Sequence, residues 1–179
     1  MAGWALAFAA LTGIGALLRV PLYPVPVTMQ VFFVLLAGLA LGPYWGAASQ
    51  LAYLAMGACG APFFAAPPHA GAAVLFGPTG GYLWGFVAGA YLVGMLGRRL
   101  SGRSAARTAA MAFSSSLAGI AVIYLIGTAW LAVWLGSVSA AIDKGALPFI
   151  VPDLFKAAGA TAVAAAESLG RRRKRRHSS

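Results

Sequence analysis

Two charged side chains near the start of the last apolar segment are the residues best suited to bind a solute. Asp153 and Lys156 are the only acidic and basic residues between Lys144 and Glu167, and a spacing of three puts them on one face of a helix. Charged groups are costly inside a bilayer and usually face a bundle interior or a wet cavity. The pair therefore indicates a binding site, and the alternative is that the two charges only neutralise each other while packing the bundle.

The composition predicts what kind of protein holds this pair. Of 179 residues, 61% are hydrophobic and 9% are charged, with a mean hydropathy of +0.84, whereas a soluble domain carries about 25% charged residues. Five or six spans of about 20 residues would use nearly the whole chain. The apolar runs are too long for barrel strands of about ten alternating residues. We therefore predict an all-α integral membrane protein.

The net charge of +10 comes mainly from two basic blocks beside apolar segments. One block is Arg98, Arg99, Arg103 and Arg107, and the other is the run 171–176. Such blocks orient spans with their basic side in the cytoplasm and attract anionic lipid headgroups. We therefore expect membrane lipids as partners and no nucleic acid.

Six transmembrane helices are predicted from the order of the apolar segments and of the turns and polar connections between them. The predicted spans are 1–18, 31–41, 47–58, 77–96, 109–135 and 149–169. Residues 1–170 would form one membrane domain, and 171–179 a basic cytoplasmic tail. A turn at 42–46 would join the second and third spans, the segment 60–79 shows no regular pattern, and 136–148 would be a polar connection.

Small residues recur every four positions on two of the predicted helices. Ala5, Ala9 and Gly13 form one row, and the fourth span carries a row that starts at Gly81. Such rows let helices approach closely in lipid. For the first row, the pattern leaves open whether the neighbour is another helix of this chain or another subunit. For the second, the neighbour would be a helix or a ligand.

The segment 19–30 contains three prolines, at Pro21, Pro24 and Pro26, which exclude a regular helix and predict a structured loop. Thr28 and Gln30 follow it and open the second span. Each is either a site residue or a structural one, Thr28 as a helix N-cap and Gln30 as a polar residue at the membrane interface.

The six spans place the unusual segments on one side of the membrane. With both basic blocks in the cytoplasm, the N- and C-termini are cytoplasmic too. The proline loop, the segment 60–79 and the head of the sixth span then meet outside. We infer a solute site that opens outward.

Catalytic motifs are missing from the sequence. It contains no nucleophile–base pair, zinc motif or nucleotide loop, and His69 lies far from His177. We therefore expect no enzyme activity, no metal and no cofactor. At this size, a protein that captures a solute and depends on partners for energy is more plausible than a self-contained transporter with paired repeats.

Four blocks of sequence resemble the BioY family, the biotin-specific S components of energy-coupling factor (ECF) vitamin importers. The blocks are 25–30, 35–43, 77–83 and 148–156. The resemblance implies a six-helix S-component fold in the prokaryotic cytoplasmic membrane, with biotin bound near the outer surface. It also implies a transmembrane coupling subunit and two ATP-binding cassette ATPases as partners, with the coupling subunit docking on the row of Ala5, Ala9 and Gly13.

The family's binding residues carry over to particular positions of this chain. They match Asp153 and Lys156, then Pro26, Thr28 and Gln30, and then the block with Gly80, Gly81 and Tyr82. The run 65–71 departs from the Gly/Ser-rich run of relatives. An S component for another vitamin and a structural membrane protein with a buried Asp–Lys pair are the alternatives.

The chemistry of biotin suits these residues. Its ureido ring has two N–H donors and one carbonyl acceptor, so Asp153 can accept from the ring while Lys156 donates to the carbonyl or to the ligand's carboxylate. Tyr82 and Tyr124 are the phenols we place nearby. A core or interface role is the alternative for both, and it is the preferred interpretation for Tyr124.

Overall fold

The computed structural model describes residues 1–66, 68–97 and 104–177 and confirms a mostly helical protein. Its elements are α1 (Ala2–Leu17), β1 (Arg19–Val20), β2 (Val27–Thr28), α2 (Gln30–Ala58), a 3₁₀ helix (Ala72–Phe76), α3 (Gly80–Gly97), α4 (Ala105–Leu135), α5 (Val138–Gly145) and α6 (Leu147–His177). Arg98, Arg99 and Arg103 of the first basic block lie outside the described residues.

Helix α2 is a hairpin of two antiparallel arms. Gly42 has φ 78° and ψ −178°, outside the helical region, and Pro43 follows it. A Cβ built on Gly46 would lie 3.0 Å from the Cα of Gly38, whereas residues eight apart in a straight helix are about 12 Å apart. The chain therefore reverses at Gly42, where the sequence predicts a turn between the second and third spans.

Four helices are long and apolar enough to cross a membrane. They are Gln30–Ala58, Gly80–Gly97, Ala106–Leu135 and Leu147–Glu167, and α1 is a shorter apolar helix. The first of the four is the hairpin. By length and composition, the described residues thus form a helical membrane protein with four candidate spans.

The glycine row of α3 faces α4. A Cβ on Gly85 would lie 3.1 Å from the Cα of Ile123, and one on Gly89 would lie 2.9 Å from the Cγ1 of the same residue. Any larger side chain would push the two backbones apart. Of the two neighbours that the sequence left open for this row, the structure shows a helix.

Two segments predicted to lack regular structure contain short helices. The predicted polar connection 136–148 contains α5, whose first turn is capped by the Ser137 hydroxyl, 3.3 Å from the Ala140 N–H that donates to it. Eight residues are too few to show helical periodicity clearly in a sequence. The segment 60–79 likewise contains the 3₁₀ helix Ala72–Phe76.

The two ends of the bundle differ. At one end the rings of Tyr44 and Tyr91 lie 5.8 Å apart, which places the hairpin turn near the C-terminal end of α3. At the other end, Trp130 donates to the Gly77 carbonyl over 2.9 Å and joins the start of α3 to α4. The proline loop, the segment 60–76 and the heads of α3 and α6 converge at this second end.

Candidate functional site

A cavity opens at this second end of the bundle, between the proline loop, the segment 60–76 and four helices. Its wall is mainly apolar, with a few polar groups. The lining residues are Val25, Pro26, Thr28, Gln30, Val31, Phe64, Ala65, Ala66, Val74, Thr79, Tyr82, Leu83, Phe86, Ile123, Tyr124, Phe149, Asp153 and Lys156. An apolar cavity with a few convergent polar groups is the usual form of a small-molecule site.

The charged part of the wall, the ionic cluster, consists of Asp153, Lys156 and Tyr124. The Lys156 Nζ lies 2.6 Å from the Asp153 Oδ1, and the Tyr124 hydroxyl donates to the Asp153 Oδ2 over 2.8 Å. Asp153 is 1% exposed and Lys156 is 7% exposed. Placing both charges on one turn of α6 lets each neutralise the other, and α4 supplies the phenol.

The second polar group, the neutral cluster, consists of Thr28, Gln30 and Tyr53. The Thr28 hydroxyl donates to the Gln30 Oε1 over 2.9 Å and accepts from the Gln30 backbone N–H over 3.2 Å. The Gln30 side-chain amide donates to the Tyr53 hydroxyl, which donates to the Phe63 carbonyl over 3.1 Å. Thr28 is not the N-cap of α2, since Met29 holds that position. The cluster ties both arms of the hairpin to the segment 60–76.

The predicted site residues of α3 fall into two groups. Tyr82 lines the cavity and its hydroxyl donates to the Gly145 carbonyl over 2.8 Å, which joins α3 to the end of α5. A Cβ on Gly80 would clash with the Leu75 carbonyl, and one on Gly81 would clash with Trp130. The structure thus places these two glycines at packing contacts and not on the cavity wall. Their contact with a ligand stays a prediction.

The small-residue row of α1 faces the interior of the bundle. Ala5 is 5% exposed and Ala9 is 0% exposed, while a Cβ on Gly13 would lie 2.6 Å from the ring of Phe63. The row therefore packs against this chain, which is one of the two roles that the sequence left open. That the row also contacts a coupling subunit stays a prediction.

Sequence reasoning missed part of the site. No sequence pattern marks out Tyr53, which accepts from Gln30. The sequence places Tyr124 near the ligand but favours a core role for it, whereas its hydroxyl donates to Asp153. A tyrosine inside an apolar span needs a hydrogen-bond partner when buried, and that rule could have drawn attention to both. Among the described residues, the structure groups no three His, Cys, Asp or Glu side chains that could hold a metal ion.

Comparisons with known proteins agree on one family. The BioY family model matches residues 2–173. The chain is 48% identical over 162 residues to a probable biotin transporter BioY of Pyrococcus horikoshii, covering 90% of this chain and 91% of that protein. It is 40% identical over 157 residues to the biotin transporter BioY of Thermotoga maritima, covering 88% and 89%.

The fold is also similar to a solved one. A crystal structure of the S-component for biotin from an ECF-type ABC transporter superimposes with a TM-score of 0.77, covering 91% of this chain and 87% of that chain. At 23% identity, this likeness concerns the fold.

Proposed function

Since the chain belongs to the BioY family, we propose that it captures biotin for uptake across a membrane as the S component of an ECF-type importer. The chain matches a probable biotin transporter and a biotin transporter along most of their length. The observation that carries the proposal for this chain is the ionic cluster, a buried ion pair that lines a mainly apolar cavity.

The ionic cluster has hydrogen-bonding capacity left for a ureido ring. An ammonium has three N–H donors, and the structure gives Lys156 one acceptor among the described residues, Asp153. A carboxylate can accept about four hydrogen bonds, and Asp153 accepts two. In our proposal Asp153 accepts one ureido N–H and Lys156 donates to the ureido carbonyl.

The rest of the wall suits the apolar parts of the ligand. Phe64, Val74 and Phe86 line the cavity and are 1%, 4% and 4% exposed, so they offer a firm surface to the fused rings. Tyr82 adds an aromatic face whose hydroxyl is already held by Gly145. Thr28 and Gln30 border the ligand from the hairpin side. In this proposal the apolar residues bind the fused rings by burying them, and the ionic cluster orients the rings through its contacts with the ureido group.

We propose that the chain crosses the membrane six times, with each arm of the α2 hairpin crossing once and both termini in the cytoplasm. Arg107 and the run 171–176 lie at the end of the bundle opposite the cavity, as the positive-inside rule requires for a cavity that opens outward. Residues 1–170 would then be the membrane domain, and 171–179 its basic cytoplasmic end, near anionic lipid headgroups.

The energy for uptake would come from other subunits. We propose that a transmembrane coupling subunit and ATP-binding cassette ATPases join this chain in a prokaryotic cytoplasmic membrane. The sequence supports this proposal because it contains no nucleotide-binding loop. Co-purification of this chain with these subunits after co-expression tests it.

Equilibrium binding of labelled biotin to the purified chain tests the central proposal. We expect saturable binding that unlabelled biotin displaces and other vitamins do not. Lys144→Ala is a matched control for Lys156→Ala, because Lys144 is exposed on α5. Binding by wild type and Lys144→Ala, with loss in Lys156→Ala, supports the site. Wild-type protein that binds another vitamin in place of biotin overturns the assigned ligand.

A further inference from the structure

A second cation, Arg19, lies at the rim of the cavity. In the β1–β2 ribbon Arg19 pairs directly with Thr28, and directly opposed residues of an antiparallel pair have their side chains on the same face. Thr28 lines the cavity; the two residues also border a groove against α6, and the Arg19 side chain reaches from there to the segment 60–76. Its Nη1 donates to the carbonyl of Ala65, another lining residue, and lies 3.0 Å from the His69 Nδ1. The guanidinium therefore spans from the proline loop to the segment 60–76.

The positive charge of Arg19 has no carboxylate to neutralise it in the part of the chain that the structure describes. The whole sequence contains only three acidic residues. Asp153 is paired with Lys156, Asp143 is exposed on α5, and Glu167 lies twenty residues along α6 from its start at Leu147. A guanidinium has five N–H donors, and the contacts of Arg19 use Nη1. An uncompensated cation with spare donors thus borders the site.

We propose that Arg19 recognises the free carboxylate of the ligand and so selects the acid over its neutral derivatives. The inference rests on the proposed function: with the ureido ring at the ionic cluster, the acyl tail has to point away from α6. Ala65 and Ala66 border the cavity on the segment that Arg19 contacts. Lys156 is the poorer partner for the tail, because Asp153 already balances its charge. Arg19 can instead hold a carboxylate with two parallel hydrogen bonds.

Affinities for biotin and biotinamide, which end in a carboxylate and in a neutral carboxamide of similar size, test this inference. Hydrogen bonds to charged groups lead us to expect that wild type prefers biotin about 10–100-fold. Arg19→Gln should reduce that preference to about threefold or less by weakening biotin while leaving biotinamide unchanged. Arg19→Lys should keep part of the preference because it keeps the charge. Arg107→Gln, which removes an arginine at the other end of the bundle, should keep the wild-type ratio.

The outcomes separate the two proposals. If wild type binds neither compound, the proposed function itself fails. If wild type binds biotin and biotinamide equally, or Arg19→Gln keeps the wild-type preference, biotin capture stands and the role of Arg19 is wrong. If Arg19→Gln weakens both compounds by the same factor, Arg19 acts only as a link between two loops and does not recognise the carboxylate.

Discussion

The ionic cluster and the neutral cluster border the same cavity but use their hydrogen-bonding groups differently. In the neutral cluster, Thr28 and Gln30 bond to each other, and Tyr53 joins Gln30 to the Phe63 carbonyl. In the ionic cluster, Asp153 and Lys156 share one short contact and keep several donor and acceptor positions for other partners.

The difference indicates a division of work between the two clusters. Groups that bond mainly to each other hold structure in place, since breaking them leaves buried partners unsatisfied. Groups with capacity left over can bind a ligand without giving up their own contacts. We therefore expect changes in the ionic cluster to weaken binding whether or not they alter stability, and changes in the neutral cluster to act mainly on stability.

Neutralising the ion pair should have the largest effect. Asp153→Asn or Lys156→Ala removes a charged partner of the ureido ring, a loss of about 1.5–3 kcal/mol for each hydrogen bond, so biotin affinity should fall by about 100-fold or more. Each change also leaves one buried charge unpaired, so the melting temperature should fall as well. Equilibrium binding to the purified variants measures the loss.

The double variant Asp153→Asn/Lys156→Met distinguishes a binding role from a purely structural one. Replacing a buried ion pair by neutral groups of similar size is often neutral or stabilising, so the melting temperature should return towards that of wild type. Biotin binding should stay lost, because the charges that orient the ureido ring are gone. A stable double variant with wild-type affinity would mean that the pair only neutralises itself.

Removing one tyrosine hydroxyl from each cluster should separate effects on affinity from effects on stability, with smaller changes than those at the ion pair. Tyr124→Phe removes one hydrogen bond to Asp153, and we expect biotin affinity to fall by about tenfold with little change in melting temperature. Tyr53→Phe leaves the Gln30 amide and the Phe63 carbonyl without this partner. It should lower the melting temperature by about 2–4 °C per kcal/mol lost and change affinity less. Equal effects of both variants on affinity would remove the distinction between the clusters.

Most of the fold could be predicted from the sequence because its signals are local. Long apolar runs set the helices, and Gly42 with Pro43 marked the reversal inside α2. The helix α5 was missed because eight residues carry too little periodicity. The orientation of the α1 row could not be predicted, since small residues at Ala5 and Ala9 favour close packing against any neighbour.

The site could be predicted where its parts lie close together in the chain. Asp153 and Lys156 are three residues apart, and their ion pair follows from helical spacing. Tyr124 lies 29 residues before Asp153, and no local pattern indicates which face of α4 meets α6. Gly80 and Gly81 were predicted to contact the ligand, but they pack against Leu75 and Trp130. A sequence does not distinguish a glycine required for packing from one required for ligand contact.

The proline loop offers a test that acts on rates. Tyr23 is 91% exposed while Val25 is 6% exposed and lines the cavity, so the loop has one face towards water and the other towards the site. We predict that the loop is a gate and that Pro24→Gly with Pro26→Gly speeds biotin release several-fold, with a smaller change in association, because loop closure mainly sets the off-rate.

Cysteine labelling checks the gate independently. With the exposed Cys59 first replaced by serine, a Tyr23→Cys variant should react more slowly with a soluble thiol reagent when biotin is present. Equal labelling with and without biotin, together with an unchanged release rate in the glycine variant, would mean that the loop is a fixed wall. The gate would then have to lie between residues 60 and 76.

Changes at Ala5 should affect affinity least, because Ala5 neither lines the cavity nor belongs to either cluster. We predict that Ala5→Leu abolishes energised uptake while the isolated protein binds biotin as wild type does, since a bulky residue in a small-residue row keeps helices apart. Both alanines are buried, but Ala5 is 5% exposed and Ala9 is 0% exposed. Ala5 is therefore the better position to change, because leucine at Ala9 would overpack the core at a cost of about 1–3 kcal/mol. Trp4→Ala serves as the comparison variant, because Trp4 lies on the exposed face of α1. Uptake that survives Ala5→Leu but fails in Trp4→Ala would place the docking surface on the outer face of the helix.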